Sequence, residues 1–373
     1  MKGNKVTVDR VIAFLRVYLA LACCWPLPPD ATKFQRLCRR ILRYFCLANS
    51  ITIIFSGVWT ISKHGDDAFM VMRVGCQMSA AAQIPLQMIL FAMQDERMQL
   101  IVFEIEDYYQ RAQIHEKEIL QYYVDKCKFL YGSILCCLAI TGVSFIFAPL
   151  LLPQPFPLEL EYPFDIYQPL QTIIYVHHII AIFQSVTQVG ANTFPALLLW
   201  FVAARFHILS TRFCTVTDMK QLLKCVYEHN ILLRYAEEVT HAVRYVALLC
   251  ITCSTGAVIF GYLTFMSRQP VSVKFIFLMI GLCGFVELYM YAWPADNVMT
   301  MSSDIALAVY NSSWYKDDVA MRKVLMHIIR RSQRPVVVSV PCALPQLSMT
   351  YYASYISTVF SYMAFIRIMI GQE

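Results

Sequence analysis

The sequence contains two cysteines at a spacing that can hold a metal or form a redox disulfide. Cys250 and Cys253 form a C-x-x-C pair, which is the spacing of many zinc sites and thioredoxin-like centres. The pair lies in a long apolar segment, with no second pair and no nearby His or carboxylate to complete a ligand set. Buried thiols that only pack are therefore the favoured interpretation, and we predict neither a metal nor a cofactor.

Ionisable residues also interrupt several apolar stretches, at His177, His178, Glu287 and Arg367. Such groups inside a membrane span are candidates for function. A histidine there can instead be a packing residue, and an arginine near a helix end can extend to the interface. For Glu287 two interpretations remain open. It is either a hydrogen-bonded carboxyl group within the bundle or a polar contact that couples a ligand pocket to a pore.

Other catalytic patterns are missing from the sequence. It has no glycine-rich phosphate loop, no nucleophile with an adjacent base and no pair of carboxylates at a catalytic spacing. We therefore predict that the chain is not an enzyme.

The composition indicates which elements must position these residues. Of the 373 residues, 58% are hydrophobic and 15% are charged, whereas a soluble domain has roughly 25% charged residues. The mean hydropathy is +0.53. These values are typical of a polytopic membrane protein. The net charge of +6 does not indicate a nucleic-acid partner, and the distribution of the basic residues along the chain is more informative.

The hydrophobic pattern predicts an all-α membrane protein with seven spans. Residues 6–25 form an amphipathic segment, interrupted by charged residues, that we expect to lie against the inner membrane face. Each of the longer apolar runs that follow has the ~20 residues needed to cross about 30 Å of hydrocarbon. These runs are 41–62, 68–93, 129–152, 171–204, 243–267, 275–299 and 345–370.

Lysine and arginine predict the orientation. They concentrate in segments 1–43, 94–128, 205–244 and 296–346, which would all lie inside if the N-terminus is inside. Few basic residues fall elsewhere. They are Lys63, Arg73, Arg268, Lys274 and Arg367. With seven spans, the C-terminus is then predicted to lie outside.

Residues 302–346 differ from the spans, because they combine an apolar stripe with a strongly charged face. Ile305, Ala308 and Val309 begin a stripe at helical spacing, and Leu325 and Ile328 continue it. We predict an inner amphipathic helix that precedes the last span. Residues 1–299 would then form an N-terminal helix and a six-span ligand-binding bundle. Residues 300–373 would form the anchor helix and last span of the same structural unit.

The C-terminal third, together with the predicted topology, resembles the insect odorant receptors. The sharpest part of the resemblance covers about residues 300–370, and the loop before the fourth span, Glu161-Tyr-Pro-Phe-Asp165, is also similar. The residues that match the C-terminal pattern are Ala308, Tyr310, Trp314, Arg331, Gln333, Pro335, Ser361, Tyr362 and Arg367.

The resemblance implies a ligand-gated, nonselective cation channel in the plasma membrane of sensory neurons. Four subunits would surround one pore, and tuning subunits would assemble with a shared co-receptor. That co-receptor carries a large insertion between spans four and five. The corresponding connection here, 205–244, is short, so the resemblance implies a tuning subunit.

The resemblance also implies site residues. The last span would line the pore, with its constriction near Phe365 and Met369, and apolar side chains can close such a pore by dewetting. The matching face comprises Tyr362, Phe365, Ile366 and Met369. A small volatile ligand would bind in the outer half, among spans two, three, four and six. Candidates chosen by depth and helical spacing are Phe69, Met72, Thr141, Ser144, Phe145, His178, Ile182, Phe277 and Ile280.

Two other classes of protein remain as alternatives. A secondary transporter would use broken helices around a midplane site, and possible breaks occur at Pro85 and between Gly190 and Pro195. A G-protein-coupled receptor would have the opposite orientation in the membrane, which makes this alternative the less favoured.

Overall fold

The computed structural model describes residues 6–28, 30–151, 155–267, 270–312, 314–316 and 318–370, with the side chains of α11 described as far as Phe365. Eleven α-helices occur in these residues, which contain no extended strand. They are α1 (Val8–Leu21), α2 (Lys33–Lys63), α3 (Ala68–Met93), α4 (Asp95–Arg111), α5 (Ile114–Leu151), α6 (Leu170–Ala191), α7 (Thr193–Cys214), α8 (Met219–Met266), α9 (Val271–Tyr310), α10 (Val319–Ser332) and α11 (Met349–Ile370).

Side-chain caps fix the starts of several helices. Thr32 and Gln35 form a capping box at α2, in which each side chain bonds the other residue's backbone N–H. At α3 the Asp67 carboxylate accepts from the Phe69 and Met70 N–H groups. At α8 Asp218 accepts from the Gln221 N–H in the same way. The boundaries therefore follow local sequence signals.

The all-α fold class is confirmed, and the chain is a membrane protein. Within the described residues, six helical stretches are long and apolar enough to cross a bilayer. They are Lys33–Lys63, Ala68–Met93, Ile114–Leu150, Leu170–Cys214, Met219–Met266 and Val273–Tyr310. The predicted seventh span corresponds to α11, whose 22 residues match the length of a span. The orientation in the bilayer stays a prediction.

The fourth span consists of two helices. The α6 helix ends at Ala191, and α7 begins at Thr193 after the single residue Asn192. Pro195 lies in the first turn of α7, where its missing N–H costs no helical hydrogen bond. The break therefore falls within the predicted 190–195 region, and it directs the Asn192 side chain into the bundle, where it is fully buried.

The helix α7 lies at the centre of the largest hydrophobic core, among α5, α8 and α9. Its small residues Ala196 and Ala203 and its large residues Leu199 and Phe206 are all fully buried. The 48 residues of α8 extend over about 72 Å at 1.5 Å per residue. Because a bilayer core is about 30 Å thick, α8 extends well beyond it, as we expected from the polar region 205–244.

The segment before the last span, predicted as one amphipathic helix, is shared between the end of α9 and the separate helix α10. The helix α9 continues without a break to Tyr310, so Ile305 and Val309 are buried on α9. The amphipathic helix itself is α10, which buries Leu325 and Ile328. Residues 333–348 then run to α11 with a short bridge between Val340 and Leu344. The predicted division at residues 299 and 300 falls inside α9.

Candidate ligand-binding site

A cavity of about 160 Å³ lies within the bundle, among α3, α5, α6, α8 and α9. We call it the main cavity. Its walls are mostly apolar and include Phe145, Val186, Ala257 and Ile280. Apolar cavities of ~150 Å³ can hold a molecule of the size of benzene. The main cavity therefore has the size and lining expected of a site for a small volatile molecule.

Four of the nine predicted ligand residues line the main cavity. They are Thr141 and Phe145 on α5, Ile182 on α6 and Ile280 on α9. One other is buried nearby. Phe277 packs in a cluster with Cys76 and Ala257, two residues of the cavity wall.

The remaining predicted residues lie elsewhere. His178 is fully buried beneath the loop between α5 and α6. Phe69 is exposed near the start of α3, and Met72 is half-buried one turn later. Ser144 is exposed, and its hydroxyl donates to the Ile140 carbonyl at 2.9 Å. Helical spacing alone did not separate these outward-facing positions from the cavity wall.

One side of the main cavity is closed by a polar network around Glu287. Gln83 Nε2 donates to Glu287 Oε1 at 3.1 Å, and Asn192 Nδ2 donates to the same oxygen. The Ser254 hydroxyl donates to Glu287 Oε2. The carboxyl group therefore has three donors from three separate helical elements and no cation in contact within the described residues.

Asn192 joins this network to the centre of the bundle. Its Oδ1 accepts from Gln87 Nε2 at 2.6 Å and from the Tyr291 hydroxyl at 3.0 Å. Asn192 can reach both partners because it occupies the break between α6 and α7. The sequence indicated that Glu287 needs hydrogen-bond partners. One of these partners, Asn192, lies in the predicted break region 190–195.

The α5–α6 loop, residues 155–169, covers the cavity at the other end. Leu158 lines the main cavity, and its backbone N–H donates to His178 Nδ1 at 3.4 Å. The Tyr162 hydroxyl lies 2.8 Å from His178 Nε2, and the Phe156 ring packs edge-on against His178. His178 therefore holds the loop to α6 instead of lining the cavity.

Charged contacts fasten the same loop to α2 and α3. Lys63 Nζ lies 2.7 Å from Glu161 and His64 Nε2 lies 2.8 Å from it. The hydrogen bond from Lys63 lowers the pKa of Glu161. Arg73 contacts Glu159 at 3.2 Å. Burial raises the pKa of Glu159, and the charge of Arg73 opposes that shift.

The last helix packs on α8 and α9 through aromatic side chains. The Tyr355 and Thr255 hydroxyls lie 2.8 Å apart, and the Tyr262 hydroxyl donates to the Met363 carbonyl at 3.2 Å. The Phe285 and Phe360 rings stack with their centroids 6.0 Å apart. These contacts join α11 to the helix that carries Ser254 at the cavity wall.

Part of the α11 surface, which we call the open face, is exposed in the single chain. Tyr362 and Phe365 are 64% and 61% exposed. The side chains of Ile366, Arg367 and Met369, which complete the predicted pore face and its charge, lie outside the described residues. Ser354, Ser357 and Ser361 are exposed on the same helix.

The described residues contain no group of three or more His, Cys, Asp or Glu side chains arranged to hold a metal ion. Cys253 lines the main cavity, and the Cys250 thiol lies 3.5 Å from Asn192 Nδ2. Both cysteines are free thiols. The C-x-x-C spacing therefore places these thiols in the wall of the cavity and next to the Glu287 network.

Long apolar helices around a small, partly open cavity define a polytopic helical membrane protein with a candidate ligand site. The sequence model of the 7tm odorant receptor family matches residues 71–366. This match covers most of the chain, which therefore belongs to the 7tm odorant receptor family. Membership of a receptor family confirms the prediction that the chain is not an enzyme.

Curated relatives agree with this membership. The chain is 24% identical over 147 residues to odorant receptor 22c of Drosophila melanogaster, covering 39% of this chain and 36% of the relative. It is 27% identical over 161 residues to odorant receptor Or2 of Anopheles gambiae, covering 42% of each. These alignments thus span about two fifths of each relative's length.

The fold is similar to a solved insect olfactory receptor, OR5 from Machilis hrabei, whose structure was determined in complex with eugenol. The TM-score is 0.85 over 97% of this chain and 98% of that chain, with 14% sequence identity. The same receptor without eugenol gives a TM-score of 0.84 at 15% identity. At this identity the similarity establishes the fold.

Proposed function

We propose that this chain is the tuning subunit of an odorant-gated, nonselective cation channel in the plasma membrane. A small volatile molecule would bind in the main cavity, and α11 would line a central pore shared by four subunits. Other subunits of the tetramer would be insect odorant co-receptors. The eugenol complex of the structurally similar receptor from Machilis hrabei supports a ligand of this size class.

The main cavity is the observation that carries this proposal. It is about 160 Å³ in volume and mostly apolar. The four spans predicted to bind the ligand form its wall, together with α8, which contains the predicted fifth span. Its polar network includes Ser254 on α8, and the neighbouring Thr255 hydroxyl contacts Tyr355 on α11. A ligand that changes the packing of α8 would therefore act directly on the helix proposed to line the pore.

The open face of α11 supports the pore assignment. Serine hydroxyls at 354, 357 and 361 provide a wall that water can wet, and Phe365 provides a large apolar side chain one turn beyond. A hydroxyl-lined passage that ends in an apolar ring suits a pore gated by dewetting. Tyr362, Phe365, Ile366 and Met369 remain the residues proposed for this constriction.

Whole-cell recording tests the proposal. The chain is expressed alone and with an insect odorant co-receptor, and a panel of volatile compounds is applied while G-protein signalling is blocked. We expect a rapid cation current that requires both chains. Ile182→Trp would fill the main cavity and should raise the half-maximal concentration at least tenfold. The control Phe147→Trp, at an exposed position on α5, should leave it unchanged.

The break at Asn192 gives the transporter alternative a specific structural basis, since secondary transporters use broken helices around midplane sites. Uptake of the same compounds is therefore measured in the same cells. Surface expression with uptake and without current, in every pairing, would replace the channel proposal with the transporter.

A further inference from the structure

A second, smaller cavity adjoins the main cavity. It has a volume of about 50 Å³ and lies among α2, α3, α6 and the α5–α6 loop. We call it the polar recess. Four residues line both spaces and so form the wall between them: Gln77, Leu158, Ile182 and Ser185. A molecule held in the main cavity therefore lies against side chains that also line the recess.

Most polar groups that line the two spaces are already paired within the protein. The hydroxyls of Thr141 and Ser185 each donate to a backbone carbonyl one turn earlier at 2.9 Å. Ser50, in the recess, does the same. Gln83 and Ser254 donate to Glu287. These groups have little need of a ligand, because their main donors already have acceptors.

Two glutamines differ from these groups. Gln77 Oε1 and Gln184 Nε2 are buried side-chain atoms without a hydrogen-bond partner among the described residues. Both side chains line the polar recess. Gln184 is only 8% exposed, and its Oε1 accepts from Asn49 Nδ2 at 2.7 Å. That bond fixes the orientation of the Gln184 amide, so its NH₂ group is the part left unpaired.

The recess thus contains one unpaired acceptor and one unpaired donor. A hydroxyl group matches both, since it donates its proton to Gln77 Oε1 and accepts from Gln184 Nε2. An ether oxygen can only accept, and a hydrocarbon can do neither. A hydroxyl is about the size of a water molecule, and a water needs ~10–15 Å³ of such space. The recess therefore has room for this group.

We propose that Gln77 and Gln184 select small ligands that carry one hydroxyl group, namely alcohols or phenols, with the apolar body in the main cavity. This inference rests on the proposed function, because it identifies the chemical class of the ligand of the same site. A buried water between the two glutamines is the competing occupant. A water would satisfy both amides without favouring any class of ligand.

Three probes of similar size test the selection: benzyl alcohol, benzyl methyl ether and ethylbenzene. Whole-cell currents are recorded from the chain expressed with the co-receptor. Benzyl alcohol should act at a half-maximal concentration about tenfold below that of ethylbenzene, because leaving buried polar groups unpaired opposes the hydrocarbon. Benzyl methyl ether should lie between the two, since it accepts from Gln184 Nε2 but leaves the Gln77 acceptor unpaired.

Gln77→Leu and Gln184→Leu should each reduce the preference for benzyl alcohol over ethylbenzene to about twofold or less. Gln110→Leu is the matched control, because it makes the same change at an exposed position of α4 that lines neither space. It should preserve the tenfold preference. Gln77→Leu should also leave the melting temperature of the purified protein unchanged or higher, since it removes an unpaired buried group.

An unchanged tenfold preference in both glutamine variants would overturn the proposal, as would equal potency of the ether and the alcohol. If no probe gives a current in any pairing, the channel proposal fails independently. The ligand class is then tested by the shift in melting temperature of the purified chain with each probe. A larger shift with benzyl alcohol in the wild type, but not in Gln77→Leu, supports the inference, and equal shifts refute it.

Discussion

The Tyr162 hydroxyl lies 2.8 Å from Nε2 of the fully buried His178, and this contact fastens the α5–α6 loop to the wall of the bundle. The other ring nitrogen, Nδ1, accepts from the backbone N–H of Leu158. One histidine therefore holds the loop at two points, and Leu158, at one of these points, lines the main cavity. Burial raises the pKa of Tyr162 to about 12, so its hydroxyl remains protonated at neutral pH.

Removing this hydroxyl should loosen the cover of the cavity. Tyr162→Phe leaves His178 Nε2 buried without its partner, at a cost of about 1 kcal/mol or more. We expect ligand washout to become about fivefold faster, measured as the decay of current after ligand removal. Tyr167→Phe, at an exposed position of the same loop, is the control. Equal decay rates in Tyr162→Phe and the wild type would contradict the proposed role of the contact.

The attachment of the loop to α2 should depend on pH. The pKa of Glu161 is lowered in the folded protein by the hydrogen bond from Lys63. Its contribution is therefore complete above the ordinary glutamate pKa of about 4.3 and is lost as the pH falls through the lowered value. The protection factors of residues 155–167, which compare hydrogen exchange with the intrinsic rate at each pH, should fall across this acidic range.

Two variants isolate the role of Glu161 from the titration of other carboxylates. Glu161→Gln should show fast exchange already at neutral pH and lose most of the acid-dependent change. Asp165→Asn, at an exposed position of the same loop, should behave like the wild type. A loop whose exchange is the same in Glu161→Gln and the wild type at neutral pH would show that the contact with Lys63 does not hold it.

Glu287 should be required for folding as well as for the cavity. Glu287→Ala leaves the donors of Gln83, Asn192 and Ser254 without their acceptor. Because each unpaired buried donor costs about 1–3 kcal/mol, we expect a loss of at least about 3 kcal/mol of stability. Thermal unfolding of the purified protein measures this loss.

Glu287→Gln is the sharper comparison. It keeps one carbonyl oxygen for Gln83 and Asn192 and presents an NH₂ group that the Ser254 oxygen can accept from. It should therefore retain most of the stability that Glu287→Ala loses. Glu237→Ala, at an exposed position of α8, serves as the control. Similar melting temperatures for Glu287→Gln and Glu287→Ala would refute a role for the acceptor.

Much of the fold could be predicted because the hydrophobic runs are long. The run 68–93 coincides with α3, because Asp67 caps the start and an apolar pattern fills the helix. The division of the fourth span was harder, since the residues on both sides of Asn192 are apolar and helical. In the C-terminal segment, the stripe containing Ile305 and the one containing Leu325 belong to different helices, although both have helical spacing.

The candidate site was less predictable. Spacing identifies residues on one helical face, but Ser144 shows that the chosen face can still point away from the cavity. Gln77 and Gln184 were missed because a glutamine in an apolar run gives no signal of its own. Their importance depends on which neighbours pair with them, and that depends on the packing of α2, α3 and α6.

The last prediction concerns the proposed gate. Phe365 is 61% exposed on the open face of α11, beyond the serines that would line the pore. If a ring of these side chains closes the pore by excluding water, a smaller side chain should allow water and ions to enter without ligand. We expect Phe365→Ala to raise the ligand-independent current severalfold at equal surface expression, and Phe365→Leu to have a smaller effect.

Phe147→Ala is the matched control for this experiment. Phe147 is 51% exposed on α5, so its truncation removes a similar exposed aromatic ring at a distance from the proposed pore. Its basal current should equal that of the wild type. Currents are compared with and without co-receptor, because a leak that needs both chains must pass through the shared assembly. If the Phe365→Ala channel stays closed without ligand, Phe365 does not form the constriction, which must then lie at another part of α11.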